Sequence, residues 1–145
     1  MTFVLDANTC LSWLLPDERP SEAANEARLQ LRRAPALVPA IWSLEVVNTL
    51  LMAERRGRLE RPLADWIFLR LLQLPVHLAA ETCELSSEPE AWPLRVHRLA
   101  RDHSLSSYDA SYVLLAQLRG IPLASDDSAM NRVARELSIP VFGPP

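Results

Sequence analysis

The stretch Phe3-Val4-Leu5-Asp6-Ala7-Asn8 decides how this chain folds, because in it an apolar run ends in an acidic residue. Consecutive apolar side chains at this point predict a buried strand over residues 2–6. Asp6 then lies at the carboxyl end of that strand. A carboxylate is rarely buried unless it is paired or binds a metal ion, so Asp6 is a candidate functional residue.

Three further acidic residues occur where an apolar run meets a helix, namely Glu45, Asp109 and Asp127. Carboxylates gathered at one edge of an α/β sheet repel one another and have raised pKa values unless a cation neutralises them. Such a set of hard oxygen donors predicts a site for Mg²⁺, with Mn²⁺ as an alternative.

The composition predicts one globular, soluble domain over residues 1–145, since the chain is 49% hydrophobic and 23% charged. Its apolar stretches are too short to span a bilayer, and it begins with a strand pattern instead of a signal peptide. Cys10 and Cys83 fit neither a metal spacing nor a disulfide framework, and we expect both to be small core residues. These features favour a cytoplasmic protein without membrane contact.

The charge of the chain argues against binding nucleic acid through net charge alone, because the formal net charge is −3. All 15 basic residues, however, are arginine. The planar guanidinium group suits phosphate recognition, so a local arginine patch is compatible with an acidic total.

Strand and helix patterns alternate along the chain. Strands are predicted at 2–6, 36–38, 75–78, 121–124 and 140–142. Helices are predicted from the end of the first strand to Leu15 and then at 21–33, 42–56, 62–73, 93–103, 107–119 and 127–137. This alternation predicts an α/β fold with a mainly parallel sheet of about five strands and helices on both faces.

Four segments together resemble the PIN-domain ribonucleases, and more narrowly the VapC-type toxins of toxin–antitoxin pairs. They are Val-Leu-Asp6-Ala-Asn8, Ser-Leu-Glu45-Val-Val-Asn48, Leu105-Ser-Ser-Tyr108-Asp109-Ala-Ser-Tyr112 and Pro122-Leu-Ala-Ser125-Asp126-Asp127-Ser-Ala-Met130. Each is weak alone, but their order and separations match over essentially the full length. The resemblance implies a PIN-like three-layer α/β/α fold.

The resemblance also implies Mg²⁺-dependent hydrolysis of RNA phosphodiester bonds, with Asp6, Glu45, Asp109 and Asp127 as the catalytic, metal-binding quartet. Asp6 and Asp109 are expected to bind the metal directly, and Glu45 and Asp127 through water or a second ion. The implied partners are an RNA substrate, a cognate antitoxin protein and a second copy of the chain in a homodimer.

Four polar residues near the quartet in sequence have alternative roles. Asn8, Asn48 and Ser125 are expected to orient carboxylates or substrate, although ordinary turn, helix-surface and strand-end roles explain them almost as well. Either Asp126 or Asp127 could cap the final helix. The family spacing selects Asp127 for the quartet and leaves Asp126 as a solvated or capping residue.

The helices at 42–56 and 62–73 contain more large apolar residues than packing on one sheet requires. The run Trp66-Ile67-Phe68-Leu69 places apolar groups around most of the second helix. Such a helix is buried in a core or against another chain. We therefore expect the pair to line a groove for an antitoxin segment, with packing inside one domain as the alternative.

Other functions fit the sequence less well. A phosphotransferase, a dehalogenase-like hydrolase and a receiver module would each use a Lys near the phosphoryl group, and this chain has none. An inactive PIN-like module that binds RNA or protein is an open alternative. A nuclease outside the toxin group, acting in RNA processing or on DNA, is another.

Overall fold

The structure is a computed structural model that describes residues 1–144. Its strands are β1 (Phe3–Leu5), β2 (Ala36–Val38), β3 (Val76–Leu78) and β4 (Leu123–Ala124). Its α-helices are α1 (Ala7–Leu11), α2 (Glu22–Leu31), α3 (Ile41–Arg55), α4 (Arg61–Leu71), α5 (Trp92–His103), α6 (Ser107–Arg119) and α7 (Ser128–Glu136). A short 3₁₀ turn spans Ala80–Cys83, in the region between β3 and α5.

The strands form one parallel sheet in the order β3-β2-β1-β4. The side chains of Phe3, Val4 and Leu5 are all 0% exposed, so both faces of β1 are covered, as predicted. The chain moves outward from β1 to β2 and β3, and β4 then adds on the other side of β1. The strand order therefore reverses between β1 and β4, and ligands of open α/β sheets bind at the carboxyl ends of such strands.

The predicted helices are present, with ends that differ by one or two residues for most of them. The helix predicted at 107–119 coincides with α6 because both of its ends are marked in the sequence. The Ser106 hydroxyl accepts a hydrogen bond from the Asp109 backbone N–H, and Gly120 takes a left-handed conformation (φ +61°) at the C-cap. A helix that has a capping residue at each end can therefore be predicted from sequence with correct bounds.

Two predictions need correction. The fifth strand, Pro140–Phe142, contributes only an isolated parallel bridge between Val141 and Leu123, so the regular sheet has four strands. Pro140 has no N–H to donate, and Gly143 turns the chain away at φ +90°. Cys10 is buried as expected, but Cys83 is exposed in the 3₁₀ turn.

Among the described residues, no helix has both the length and the apolar character needed to cross a membrane.

Candidate active site

Asp6 occupies the reversal point of the sheet. Its backbone N–H donates to the carbonyl of Ala124 in β4 at 3.0 Å, and its side chain caps α1. The Ser125 hydroxyl donates to Asp6 Oδ2 at 2.9 Å, and the Asn8 backbone N–H lies 3.4 Å from Oδ1. Each oxygen of the carboxylate thus accepts one hydrogen bond, and the residue is only 4% exposed.

Burial raises the pKa of the Asp6 carboxyl from its ordinary value of 3.8 to about 7. The negative charges of Glu45 and Asp109 contribute to this rise, and the hydrogen bonds from Ser125 and Asn8 oppose it. Three acids from β1, α3 and α6 therefore influence one another through their charges. A group with such a shifted pKa at the end of a sheet is typical of a functional site.

Glu45 projects from α3 and accepts a hydrogen bond from the phenol of Tyr112 in α6. Burial raises the pKa of the Glu45 carboxyl, and the charge of Asp109 adds to this effect. Tyr112 is completely buried, and burial together with the Glu45 charge raises the pKa of its phenol, so the O–H stays available as a donor. This contact joins α3 to α6 below the acidic site.

Asp109 and Asp127 complete the acidic set. Burial raises the pKa of the Asp109 carboxyl, and the nearby charge of Asp127 raises it further. Asp127 is the N-cap of α7, since its Oδ1 accepts a hydrogen bond from the Met130 backbone N–H at 2.7 Å. The capping bond sets the orientation of the Asp127 carboxylate beside Asp109.

The neighbouring Asp126 does not cap the final helix, which corrects one of its two expected roles. Its carboxylate accepts a hydrogen bond from Ser21, the N-cap of α2, and its backbone N–H donates to Thr9 Oγ1 at 3.1 Å. Asp126 therefore joins the loop after β4 to α1 and α2. The adjacent Asp127 caps α7, and its charge contributes to the raised pKa of Asp109.

The three polar residues expected to orient the acids differ in placement. Ser125 is buried and bridges the site, because its hydroxyl donates to Asp6 and accepts from the Asp127 backbone N–H at 3.0 Å. Asn8 contacts Asp6 through its backbone, and its side chain is exposed. Asn48 is exposed on α3, one turn after Glu45. Ser125 is thus the residue that the structure places in direct contact with the quartet.

Two residues of the site received no role from sequence reasoning. Tyr112 was part of a matched segment, but its partner Glu45 is 67 residues away and no local pattern links them. Asn131 in α7 donates from Nδ2 to the Ser125 carbonyl at 2.8 Å and so holds the loop after β4. For Tyr112, a polar residue next to an apolar run of its helix was the available signal, whereas no local pattern marked Asn131.

The donor chemistry of the site fits a hard divalent cation. Its side chains supply carboxylate oxygens, and the pKa values of Asp6, Glu45 and Asp109 are raised mainly by burial, with a smaller contribution from neighbouring negative charges. Within residues 1–144, however, no three acidic, His or Cys side chains form a ready-made ligand cluster. An ion here would need water among its ligands, which is the usual preference of Mg²⁺.

The two adjacent aspartates provide a matched test of these placements. Asp127→Asn should lower the rate of catalysis by about 10–100-fold, the range found when groups around a metal site are altered. Its stability should change little because Asn caps helices as well as Asp. Asp126→Asn should leave the rate within about twofold. Single-turnover rates and melting curves measure both effects, and a rate loss confined to Asp126→Asn would contradict the assignment.

Comparison with known proteins identifies the family of the chain. Residues 3–136 match the PIN domain family. The chain is 32% identical over 133 residues to a protein named Ribonuclease VapC3 from Pyrobaculum aerophilum. The alignment covers 88% of this chain and 90% of the relative.

Two solved structures share the fold. PAE2754 from Pyrobaculum aerophilum aligns with a TM-score of 0.63 and 18% identity, covering 95% of this chain and 96% of that one. A chain of FitAcB from Neisseria gonorrhoeae aligns with a TM-score of 0.62 and 16% identity, covering 99% of this chain and 97% of that one. Because the family match and the sequence relative each cover most of its length, the chain belongs to the PIN-domain family.

Proposed function

We propose that this protein is a Mg²⁺-dependent endoribonuclease that hydrolyses RNA phosphodiester bonds and acts as the toxin of a type II toxin–antitoxin pair. The observation that supports this most is the set of acids at the sheet reversal, in which a 4% exposed Asp6 has a pKa of about 7. The relative named as a ribonuclease, alike over most of both chains, supports RNA as the substrate.

The residues of the site would act mainly by holding charge in place. Asp6 and Asp109 would bind the ion, with Glu45 and Asp127 contributing through water. A bound divalent ion supplies Lewis-acid activation of the scissile phosphate and lowers the pKa of water. Ser125 fixes the Asp6 carboxylate and Tyr112 fixes that of Glu45. Fixed donors need no reorganisation during the reaction, which is the main source of electrostatic catalysis.

A cavity whose lining includes the sequence neighbours of two acids offers a place for an RNA base. It measures ≈ 340 Å³, and its lining includes Leu44, Trp92, Ser107, Tyr108 and Ser111. Leu44 and Tyr108 directly precede two of the acids, and the Tyr108 side chain is 55% exposed. Single-stranded RNA is recognised largely by stacking of unpaired bases on aromatic rings. The cavity therefore suits a nucleotide next to the scissile phosphate.

The stacking role of Tyr108 can be measured. Tyr108→Ala should raise KM for a short RNA by about 10-fold, since loss of a stacked base costs about 1–3 kcal/mol, with a smaller change in kcat. Tyr108→Phe is the control, because it keeps the ring and removes only the hydroxyl. Equal KM values for Tyr108→Ala and the unmodified chain would exclude stacking at this position.

An apolar surface on α3 and α4 supports a protein partner. A groove of ≈ 190 Å³ between the helices is lined by five apolar residues, Val47, Leu50, Leu51, Ala64 and Phe68, and by the acidic residues Glu54 and Asp65. Outside it, Trp66 is 51% and Leu69 60% exposed, so the apolar residues of α4 are not all used inside the domain. We propose that an amphipathic antitoxin segment binds here and that one of its arginines reaches the acidic site.

Matched leucine substitutions test the partner surface. In co-expression with any small reading frame adjoining the gene, Leu51→Glu should abolish co-purification, because it replaces an apolar contact with a third carboxylate in the groove. Leu85→Glu should not, since Leu85 is 89% exposed in the loop before α5. Equal co-purification of both variants would argue against the groove. Light scattering of the purified chain separately tests the proposed homodimer.

The proposed activity itself is tested with the purified chain and a structureless RNA. Cleavage should occur with Mg²⁺ or Mn²⁺ and stop in EDTA. Absence of cleavage under all metal conditions, with the RNA still bound, would favour the inactive PIN-like module. Preferential cleavage of DNA would favour the nuclease outside the toxin group.

A further inference from the structure

A second cavity lies away from the acidic site and has the opposite charge. It measures ≈ 540 Å³ and is formed where the ends of α2 and α4 meet the turn after α1. Its lining includes Arg28 and Arg32 from α2 and Arg70 from α4. None of the four acids of the candidate active site lines it. We refer to it as the arginine cleft.

The arginines of the cleft have no acidic partner among residues 1–144. The arginine ion pairs of the described chain involve Arg58, Arg95, Arg98, Arg119 and Arg132. Arg28 and Arg32 are one helical turn apart, so they lie on the same face of the chain and repel each other. Three unneutralised cations around one cavity, in a protein with net charge −3, indicate an anionic ligand.

The cleft also has an apolar and aromatic side. Trp13, Leu14, Leu31 and Leu74 contribute to its lining. The indole N–H of Trp13 donates to the Ala24 carbonyl at 3.0 Å, which fixes the ring against α2. A ligand that fills this cleft therefore needs a flat or apolar part as well as its negative charge.

Arg70 is held in position before any ligand binds. Its Nη1 donates to Gln73 Oε1 at 3.2 Å, and its guanidinium lies 5.7 Å from the centre of the Trp66 ring. An arginine whose orientation is already restricted loses less entropy when it binds a phosphate. This favours recognition of a defined group over diffuse attraction of any anion.

We propose that the arginine cleft binds a nucleotide unit, with the phosphate held by Arg28, Arg32 and Arg70 and the base packed against Trp13. A phosphate offers several oxygens to three guanidinium groups, which a single carboxylate cannot match. A cavity of this volume is in the usual range for small-ligand sites. An acidic peptide is less suitable because each of its carboxylates offers only two oxygens to the three guanidinium groups.

The nucleotide has two possible sources with the same chemistry, a free nucleotide or one unit of an RNA strand. The second source rests on the proposed function. Helix α2 begins next to Ser21, which contacts Asp126 beside the acidic site, and Arg32 is roughly 16 Å further along the helix axis. An RNA strand could therefore contact both regions by running along α2.

The test is calorimetric titration of the full chain in EDTA with AMP, adenosine and inorganic phosphate. AMP should bind saturably, and adenosine and phosphate at least about tenfold more weakly, since each provides only half of the contacts. Arg32→Gln and Arg70→Gln should each weaken AMP binding about tenfold or more, the loss expected for one charge-assisted hydrogen bond. Because EDTA prevents cleavage, this result is independent of whether the chain is a nuclease.

Arg33→Gln is the matched control, since Arg33 is exposed at the same end of α2 but does not line the cleft. It should change AMP binding by less than about twofold, whereas equal losses in Arg32→Gln and Arg33→Gln would overturn the proposal.

An oligoribonucleotide that binds tighter than AMP, with the same dependence on Arg32, identifies RNA as the source. AMP binding as tight as the oligoribonucleotide identifies a free nucleotide. Tighter binding of an oligoglutamate peptide, or no saturable binding of AMP and RNA, would overturn the proposal.

Discussion

Asp6→Asn is expected to reduce RNA cleavage by about 100- to 1,000-fold, the loss typical when a group that stabilises transition-state charge is removed. Asp6 is the most buried of the four acids, and its position is set by β4 through Ala124 and Ser125. Asn has nearly the same shape but lacks the negative charge that would hold a divalent ion. The loss should therefore be in kcat, and raising the Mg²⁺ concentration should restore little of it.

The control for this experiment is Asp102→Asn, which removes one carboxylate from an exposed position of α5. It should cleave RNA at the rate of the unmodified chain. Circular dichroism and melting curves of both variants check that the fold is unchanged. Wild-type cleavage by Asp6→Asn in Mg²⁺ would contradict the assignment of the quartet.

The stability of the metal-free protein should fall as the pH rises from about 4 to 7. The pKa of Asp6 is about 7 in the folded protein and near 3.8 in the unfolded chain. Between these values the folded state retains a proton that the unfolded state has lost, so a rise in pH favours unfolding. The stabilisation is fully present below pH 3.8 and is lost as the pH rises through 7. The full difference corresponds to at most about 4 kcal/mol.

Urea unfolding in EDTA at several pH values measures this effect against Asp6→Asn. The variant cannot titrate at this position, so its free energy of unfolding should exceed that of the unmodified chain at pH 8 and change less between pH 4 and 8. Mg²⁺ at pH 8 should stabilise the unmodified chain more than the variant, because a ligand stabilises only the state that binds it. Parallel pH profiles for the two proteins would show that Asp6 titrates normally.

Local patterns in the sequence were sufficient for much of the fold. The apolar run before Asp6 predicted the central strand, and the helix predicted at 107–119, with Gly120 after its end, coincides with α6. These signals are short-range, since strand burial and helix caps depend on neighbours a few residues away. The spacing of the four acidic segments also predicted the PIN-domain family, which the comparisons confirmed.

Long-range contacts decided what the sequence left open. Asp126 and Asp127 are equally good caps by residue type, and the choice depends on Ser21 and Thr9, which are more than 100 residues away. The predicted strand at 140–142 likewise depends on its pairing with β4, and only one residue pair, Leu123 and Val141, forms a bridge.

The electrostatics of the site also depends on long-range contacts. The sequence determined that four acids follow apolar segments, and from this a cation site was predicted. Only the tertiary structure decided that Ser125 holds Asp6, that Tyr112 holds Glu45, and that burial raises the pKa of Asp6 to about 7. Desolvation and hydrogen bonding depend on which distant groups pack around a carboxylate, and a linear pattern carries no information about that packing.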